Sequence, residues 1–159
     1  MSRLDSFIRR LTAQRDVLNA IRDTVIKMEG PILELGLGNG RTYDHLRELF
    51  PERRIIAFDR EIRSFSASTP EPENLVVGEI RKTAEAYVGI GAVLAHADIG
   101  TGHDDIDAVT LTWLPQLTAG VLARGGIAVS GLPLVRPELD PLPLPPTVTE
   151  GRYFLYRRI

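Results

Sequence analysis

At 159 residues, with 43% hydrophobic residues and a net charge of -2, the chain has the composition of one globular domain. The near-neutral balance supplies no basic footprint for nucleic acid, and without cysteine there is no disulfide, thiolate nucleophile or Cys-ligated metal. No apolar run approaches the ~20 residues of a membrane span; Arg9, Arg10, Arg15 and Asp16 also interrupt the N-terminal segment, so a membrane partner is not expected and the cytoplasm is the expected compartment.

Residues 3–28 predict one long helix. Leu4, Phe7, Ile8, Leu11, Leu18, Ile21, Val25 and Met28 recur mostly at three- and four-residue steps, giving an apolar face to lay on a sheet, and Gly30-Pro31 ends it. This N-terminal helix, residues 1–29, belongs to a single domain spanning 1–159. Ile32-Leu33-Glu34-Leu35 then reads as a buried strand, followed by glycines at 36, 38 and 40 and a helical pattern, Thr42 to Phe50, stopped by Pro51. A strand that turns on glycines into a helix presents backbone N–H groups to a ligand at the strand's carboxyl end. A dinucleotide-binding turn would read G-x-G-x-x-G. Here the series is Gly36-x-Gly38-x-Gly40, with Arg41 next, which counts against a nicotinamide-dependent reductase.

A second strand, Arg54 to Asp59, ends on an acid close to the ~20-residue interval after the glycines at which a carboxylate meets a ribose. Two carboxylate oxygens can accept both hydroxyls of a vicinal diol. Ser64 to Asn74 is polar, with Pro70 and Pro72, and reads as loop. Leu75 to Ile80 predicts a third strand and Lys82 to Ile90 a helix. Ala92 to Asp98 predicts a fourth strand, beside the first, with His96 and Asp98 on one face. His96 within that apolar run reads as a hydrogen-bonded core residue. Asp104 and Asp105 suit the start of the next helix, Ile106 to Ala123, with Val109, Trp113, Leu117 and Val121 on its apolar face and a kink or restart at Pro115. The crowded prolines of 132–146 exclude regular helix and predict an ordered loop. Thr147 to Thr149 and Arg152 to Ile159 predict a closing hairpin across Glu150-Gly151.

Two stretches carry a family resemblance. Glu34-x-Gly36-x-Gly38-x-Gly40 resembles the E/D-x-G-x-G-x-G signature of class I S-adenosylmethionine-dependent methyltransferases, and Leu122 to Ser130 resembles that family's helix, Gly-Gly turn and fifth strand. The resemblance implies a doubly wound, mostly parallel seven-stranded or trimmed α/β sheet with helices on both faces, a Rossmann-like methyltransferase fold. It implies methyl transfer from S-adenosyl-L-methionine to an acceptor, here expected to be a small molecule rather than nucleic acid. Its cofactor site would draw on Glu34 as organiser and on the loop Gly36, Leu37, Gly38, Asn39 and Gly40. Asp59 would take the ribose, Arg60 with Gly78, Glu79 and Ile80 the adenine, and Asp98 would face the methyl-transfer centre. Asp98, His103 and Tyr43 are the candidates for a base, should the acceptor need to lose a proton. No metal is expected: relatives that use magnesium carry an Asp-Asn pair where this chain has Ser130-Gly131. A cofactor-binding module without catalysis is the alternative reading. The Leu/Pro-rich segment suggests a homo-oligomer.

Overall fold

The computed structural model describes residues 1–159, and its centre is the short strand β1 (Ile32–Leu35), buried at every position. A strand apolar on both faces needs cover on both. On one side β1 pairs in parallel with β2 (Ile55–Asp59), which is flanked by β3 (Leu75–Val77). On the other side it pairs in parallel with β4 (Ala92–Ala97), followed by β5 (Leu122–Ser130). Strands β6 (Leu139–Pro141) and β7 (Phe154–Arg158) complete seven strands in the order β3-β2-β1-β4-β5-β7-β6, with β7 antiparallel to both neighbours. The sheet is therefore whole rather than trimmed. Its winding reverses between β1 and β4, where the carboxyl ends of two strands diverge and leave a crevice.

Helices α1 (Arg3–Val25) and α2 (Arg41–Leu49) cover one face. Val17, Leu18, Ile21 and Val25 from α1 and Leu46 from α2 meet Ile32, Leu94 and Ile127 of the sheet in one core cluster. Burying each such side chain contributes about 1.5–3 kcal/mol. A capping box at Ser2 and Asp5 closes the free amides at the start of α1. The opposite face is covered by α3 (Ile80–Glu85) and α5 (Leu114–Val121), whose Ala84, Leu114, Leu117 and Val121 pack on Leu33, Leu35, Ile56 and Phe58. Helix α4 (Asp104–Leu111) buries no residue and forms a rim above the crevice.

Several elements differ from the sequence expectation. The third strand stops at Val77; Gly78, with φ of 149°, turns the chain, and Ile80 opens α3 instead of ending a strand. At Pro115, by contrast, the helix pattern over 106–123 restarts as expected, because this residue has no N–H to continue α4 and instead sits in the first turn of α5. Val109, placed on the core face by periodicity, is 61% exposed. The segment expected to finish a helix at Leu122-Ala123-Arg124 is already strand, and Gly125-Gly126 lies in an irregularity where the pairing jumps from Ala92↔Leu122 to Leu94↔Ile127. The hairpin partner of the last strand is Leu139–Pro141, from the proline-rich segment, rather than 147–149. Leu134 and Leu139 of that segment are buried in this chain's own core, so they are not free for a second copy.

Candidate active site

Alternation along the strands puts Glu34 and His96 side by side on the face covered by α1 and α2, since Glu34 is in register with His96. Both are fully buried. Nδ1 of His96 lies 2.7 Å from Glu34 Oε1, and Nε2 lies 2.6 Å from the hydroxyl of Tyr153, which is also buried. The Thr42 hydroxyl donates to the same Glu34 oxygen at 3.2 Å, while Oε2 has no partner. Burial pushes the Glu34 carboxyl up, against the pull of the imidazole. Burial opposes protonation of His96, but the facing carboxylate overcomes it and holds the ring above its ordinary range. Burial likewise raises the Tyr153 phenol well above its usual value, aided by the charges of Asp98 and Glu34.

These shifts have one sign. Glu34 and His96 both bind a proton more tightly folded than unfolded, so each stabilises the fold below its unfolded value, 4.5 and 6.5, and that contribution is lost as pH rises through the raised folded value. Urea midpoints should therefore fall between about pH 6.5 and pH 9, a window below the ordinary titration of tyrosine. A Glu34→Gln/His96→Gln double variant should flatten that slope. A wild-type midpoint that rises across the window would contradict the assignment.

Above this buried chain the glycine loop meets two cavities. The larger, a groove of about 1380 Å³, runs over the carboxyl ends of β2, β1 and β4 between Arg60, Glu79 and Ile80 on one side and Ile99, Ile106, Val109 and Trp113 on the other. The smaller, about 200 Å³, lies between α1 and the loop, lined by Arg10, Gln14, Asn39 and Thr42. Gly36, Gly38 and Asp98 line both, so the two cavities meet at the switch point of the sheet.

The three glycines have different tasks. A Cβ on Gly38 would meet nothing within 4 Å, so this glycine keeps the crevice floor open. On Gly40 it would stand 2.4 Å from the Ser68 carbonyl oxygen, and on Gly36 2.5 Å from Ile99 Cγ2. Those two let protein pack against protein. Asp59 bridges loop and strand: its carboxylate accepts from the Gly38 N–H and the Arg60 N–H, each at 2.7 Å. Asp98 is part-exposed, 3.9 Å from the Arg10 guanidinium. Behind β4 the wall is braced by Asp107, which accepts from the Thr101 N–H and hydroxyl at 2.8 Å. Asp105 lines the groove.

The structure thus brings Gly36, Gly38, Asp59, Arg60, Glu79, Ile80 and Asp98 of the predicted site to one groove. Leu37 and Asn39 border the smaller cavity. It sets others apart. Glu34 lies beneath the loop with no exposed surface, so it acts through Thr42 and His96 rather than by touching a ligand. Gly40 faces the Ser64–Ser68 segment, and Gly78 faces the Thr83 methyl. Tyr43, a base candidate, is buried in the core with Arg47 over its ring. His103, the other, precedes α4 and lines neither cavity. Sequence reasoning missed Arg10, Gln14 and Tyr153. Of these, Gln14 had a signal: it sits among the buried Ala13, Val17 and Leu18 of α1, where an unexplained amide asks for a partner.

An open sheet with a glycine turn at its switch point, and acids at the ends of β2 and β4, defines a nucleoside-binding α/β protein of the doubly wound class. Comparison with known proteins narrows the class. A family model described as S-adenosyl-L-methionine methyltransferase matches residues 1–158, and the chain belongs to that family. The solved structure of an S-adenosyl-L-methionine methyl transferase from Silicibacter pomeroyi DSS-3 is 39% identical, covers 100% of this chain and 99% of its own, and superposes with a TM-score of 0.92. A TehB-like SAM-dependent methyltransferase from Corynebacterium glutamicum shares the fold at 15% identity, over 92% of this chain and 88% of its own, with a TM-score of 0.60. So does a 16S rRNA (adenine(1408)-N(1))-methyltransferase from Catenulisporales acidiphilia, solved with cosubstrate SAM, at 12% identity over 87% of this chain and 91% of its own, TM-score 0.54. No curated protein sequence matches the chain.

The protein is an S-adenosylmethionine-dependent methyltransferase, and its crevice fits that cofactor. The open space over Gly38, the unpaired buried Nε–H of Arg10 and the acid at the end of β2 provide a cradle, a hydrogen-bond donor and a diol acceptor together.

Proposed function

We propose that the acceptor is a small molecule, bound where the two cavities meet, and that the chain methylates it without a dedicated base. What carries this reading is the junction itself: Gly36, Gly38 and Asp98 line both cavities, and Asp98 is the ionisable side chain at that point. Asp59 holds the ribose, Arg60, Glu79 and Ile80 flank the adenine, and Ile99, Ile106, Val109 and Trp113 give the groove its apolar wall. The sulfonium supplies an electrophilic methyl, so the work left to the side chains is to hold the acceptor in line and exclude water. Asp98 orients the acceptor and takes a proton only from an acceptor that must lose one.

The small-molecule reading draws support from the charges at the groove. Arg60, Arg63 and Arg81 alternate with Glu61, Glu79 and Asp105 instead of forming the basic stripe that a nucleic-acid backbone requires. A methyl-transfer assay over amine, hydroxyl and thiol metabolites, run beside ribosomal RNA, tests it. Turnover of RNA alone would overturn it. We place the enzyme in the cytoplasm, in keeping with its lack of cysteine and of any helix long and apolar enough to cross a membrane. A second copy is a candidate partner, and the support for it now lies in exposed Leu4 and Ile8 at the start of α1.

The ribose assignment has its own test. Asp59→Ala removes both the diol acceptor and the bond that holds the Gly38 amide. Affinity for S-adenosylhomocysteine should fall by about 1–3 kcal/mol, the scale of a lost charged hydrogen bond. Isothermal titration reads this directly, and an unchanged affinity would place the ribose elsewhere.

A further inference from the structure

The start of α1 stands clear of the core. Its buried residues begin at Ala13, while Leu4, Phe7 and Ile8 in the turns before are exposed. Three guanidiniums gather at this end of the helix. The Phe7 ring centroid lies 5.8 Å from Arg10 Cζ and 5.7 Å from Arg41 Cζ. Ser6 sits one turn before Arg10 on the same helix face, and Arg152 Nη1 donates to its hydroxyl at 3.4 Å.

Acids are scarce beside them. Arg41 and Arg152 make no ion pair, and the carboxylate facing Arg10 is Asp98, at 3.9 Å, beyond hydrogen-bond range. Arg15, Arg47 and Arg136, by contrast, each hold a carboxylate at 2.7 or 2.8 Å. Like charges gathered around one ring repel, and an anion placed among them offsets that repulsion. The planar fork of a guanidinium matches a carboxylate or a phosphate, and the ring presents an apolar face to the body that carries it.

We propose that the methyl acceptor is itself an acid: a small molecule whose carboxylate or phosphate is held by Arg10, Arg41 and Arg152 against Phe7, with its nucleophile turned toward Asp98. The proposal rests on the reading that the acceptor binds where the two cavities meet, at Asp98. The nucleophile's lone pair takes the methyl, the sulfur keeps the electron pair of the broken bond, and a proton, where one must leave, goes to Asp98. Three guanidiniums around a single ring suit one anionic group, whereas a nucleic-acid backbone asks for a run of them. The first turns of α1 then choose the acceptor, and the rest of the helix covers the sheet.

Benzoate and benzamide, alike in shape and different in charge, test this by isothermal titration into the wild-type protein saturated with S-adenosylhomocysteine. Saturation keeps the probes out of the cofactor's own site. Benzoate should bind about 10-fold tighter than benzamide or better, the scale of a charge-assisted hydrogen bond. Equal affinities, no binding of benzoate, or benzoate binding only without S-adenosylhomocysteine would overturn the acid site while leaving the adenosyl groove standing. Failure of S-adenosylhomocysteine itself to bind would overturn the groove reading and the acid site with it. Arg41→Gln and Arg152→Gln should each weaken benzoate by about 3- to 10-fold and leave benzamide unchanged. Equal weakening of both probes would overturn the proposal, since the two arginines would then shape the surface without reading charge. Circular dichroism checks that each variant is folded, and the wild-type comparison decides the matter where one is not.

Discussion

His96→Leu should destabilise the protein by about 3–5 kcal/mol, the cost of leaving one member of a buried charged pair behind. Glu34 and His96 have no exposed surface, and the imidazole is one of only two groups bonded to the carboxylate. Without it Glu34 must ionise unpaired or take up a proton, and the Tyr153 hydroxyl loses its 2.6 Å partner in the same step. Leucine fills comparable space, so the loss is mainly one of polar pairing rather than of volume. Glu34→Gln should cost far less, about 1 kcal/mol, because an amide oxygen still accepts from Nδ1 and no buried charge remains. Urea denaturation at neutral pH separates the two through the midpoint, with the slope unchanged. Similar losses in both variants would mean that the pair carries no charge in the fold.

How far the site was legible depends on whether a residue's task is local. Gly36-x-Gly38-x-Gly40 between an apolar run and a helical pattern marks a tight turn at a strand's end from spacing alone, and Asp59 follows at a ribose interval. Both now border the crevice. The order of strands follows from alternation of strand and helix, which admits few windings. Periodicity failed at α4, because Val109 and Ile106 are apolar for a groove and not for the core, and a hydrophobic period cannot tell those two apart. Glu34, which the glycine signature implied as organiser of the cofactor site, is a different case: it has no exposed surface. Its register beside His96 shows a carboxylate used from below, through Thr42 at the start of α2. Tyr153, 57 residues beyond His96, reaches that ring only because β7 runs antiparallel beside β5. Nothing local in the C-terminal segment marks that pairing.

Gly38→Ala and Gly40→Ala should separate binding from folding, although the two glycines lie in one loop and both have positive φ, 54° and 85°. A methyl on Gly38 enters open space, so the fold loses only the left-handed backbone penalty, about 1–2 kcal/mol. That same space is where a cofactor must lie against bare main chain. Overpacking there should weaken S-adenosylhomocysteine by a further 1–3 kcal/mol, roughly 10- to 100-fold. On Gly40 the methyl would meet the Ser68 carbonyl oxygen at 2.4 Å and its Cβ at 2.7 Å. Backbone is the obstacle, so the segment around Ser68 must move, and destabilisation of about 2–5 kcal/mol follows from strain and clash together. The folded fraction of that variant should keep affinity within about threefold, under 1 kcal/mol, because Gly40 borders neither cavity. Titration with S-adenosylhomocysteine beside urea melts of both variants reads the two axes separately. Should Gly38→Ala bind as the wild type does, the ligand does not rest on this loop; should Gly40→Ala lose affinity more than stability, the loop binds as a unit and the division of tasks between its glycines is wrong.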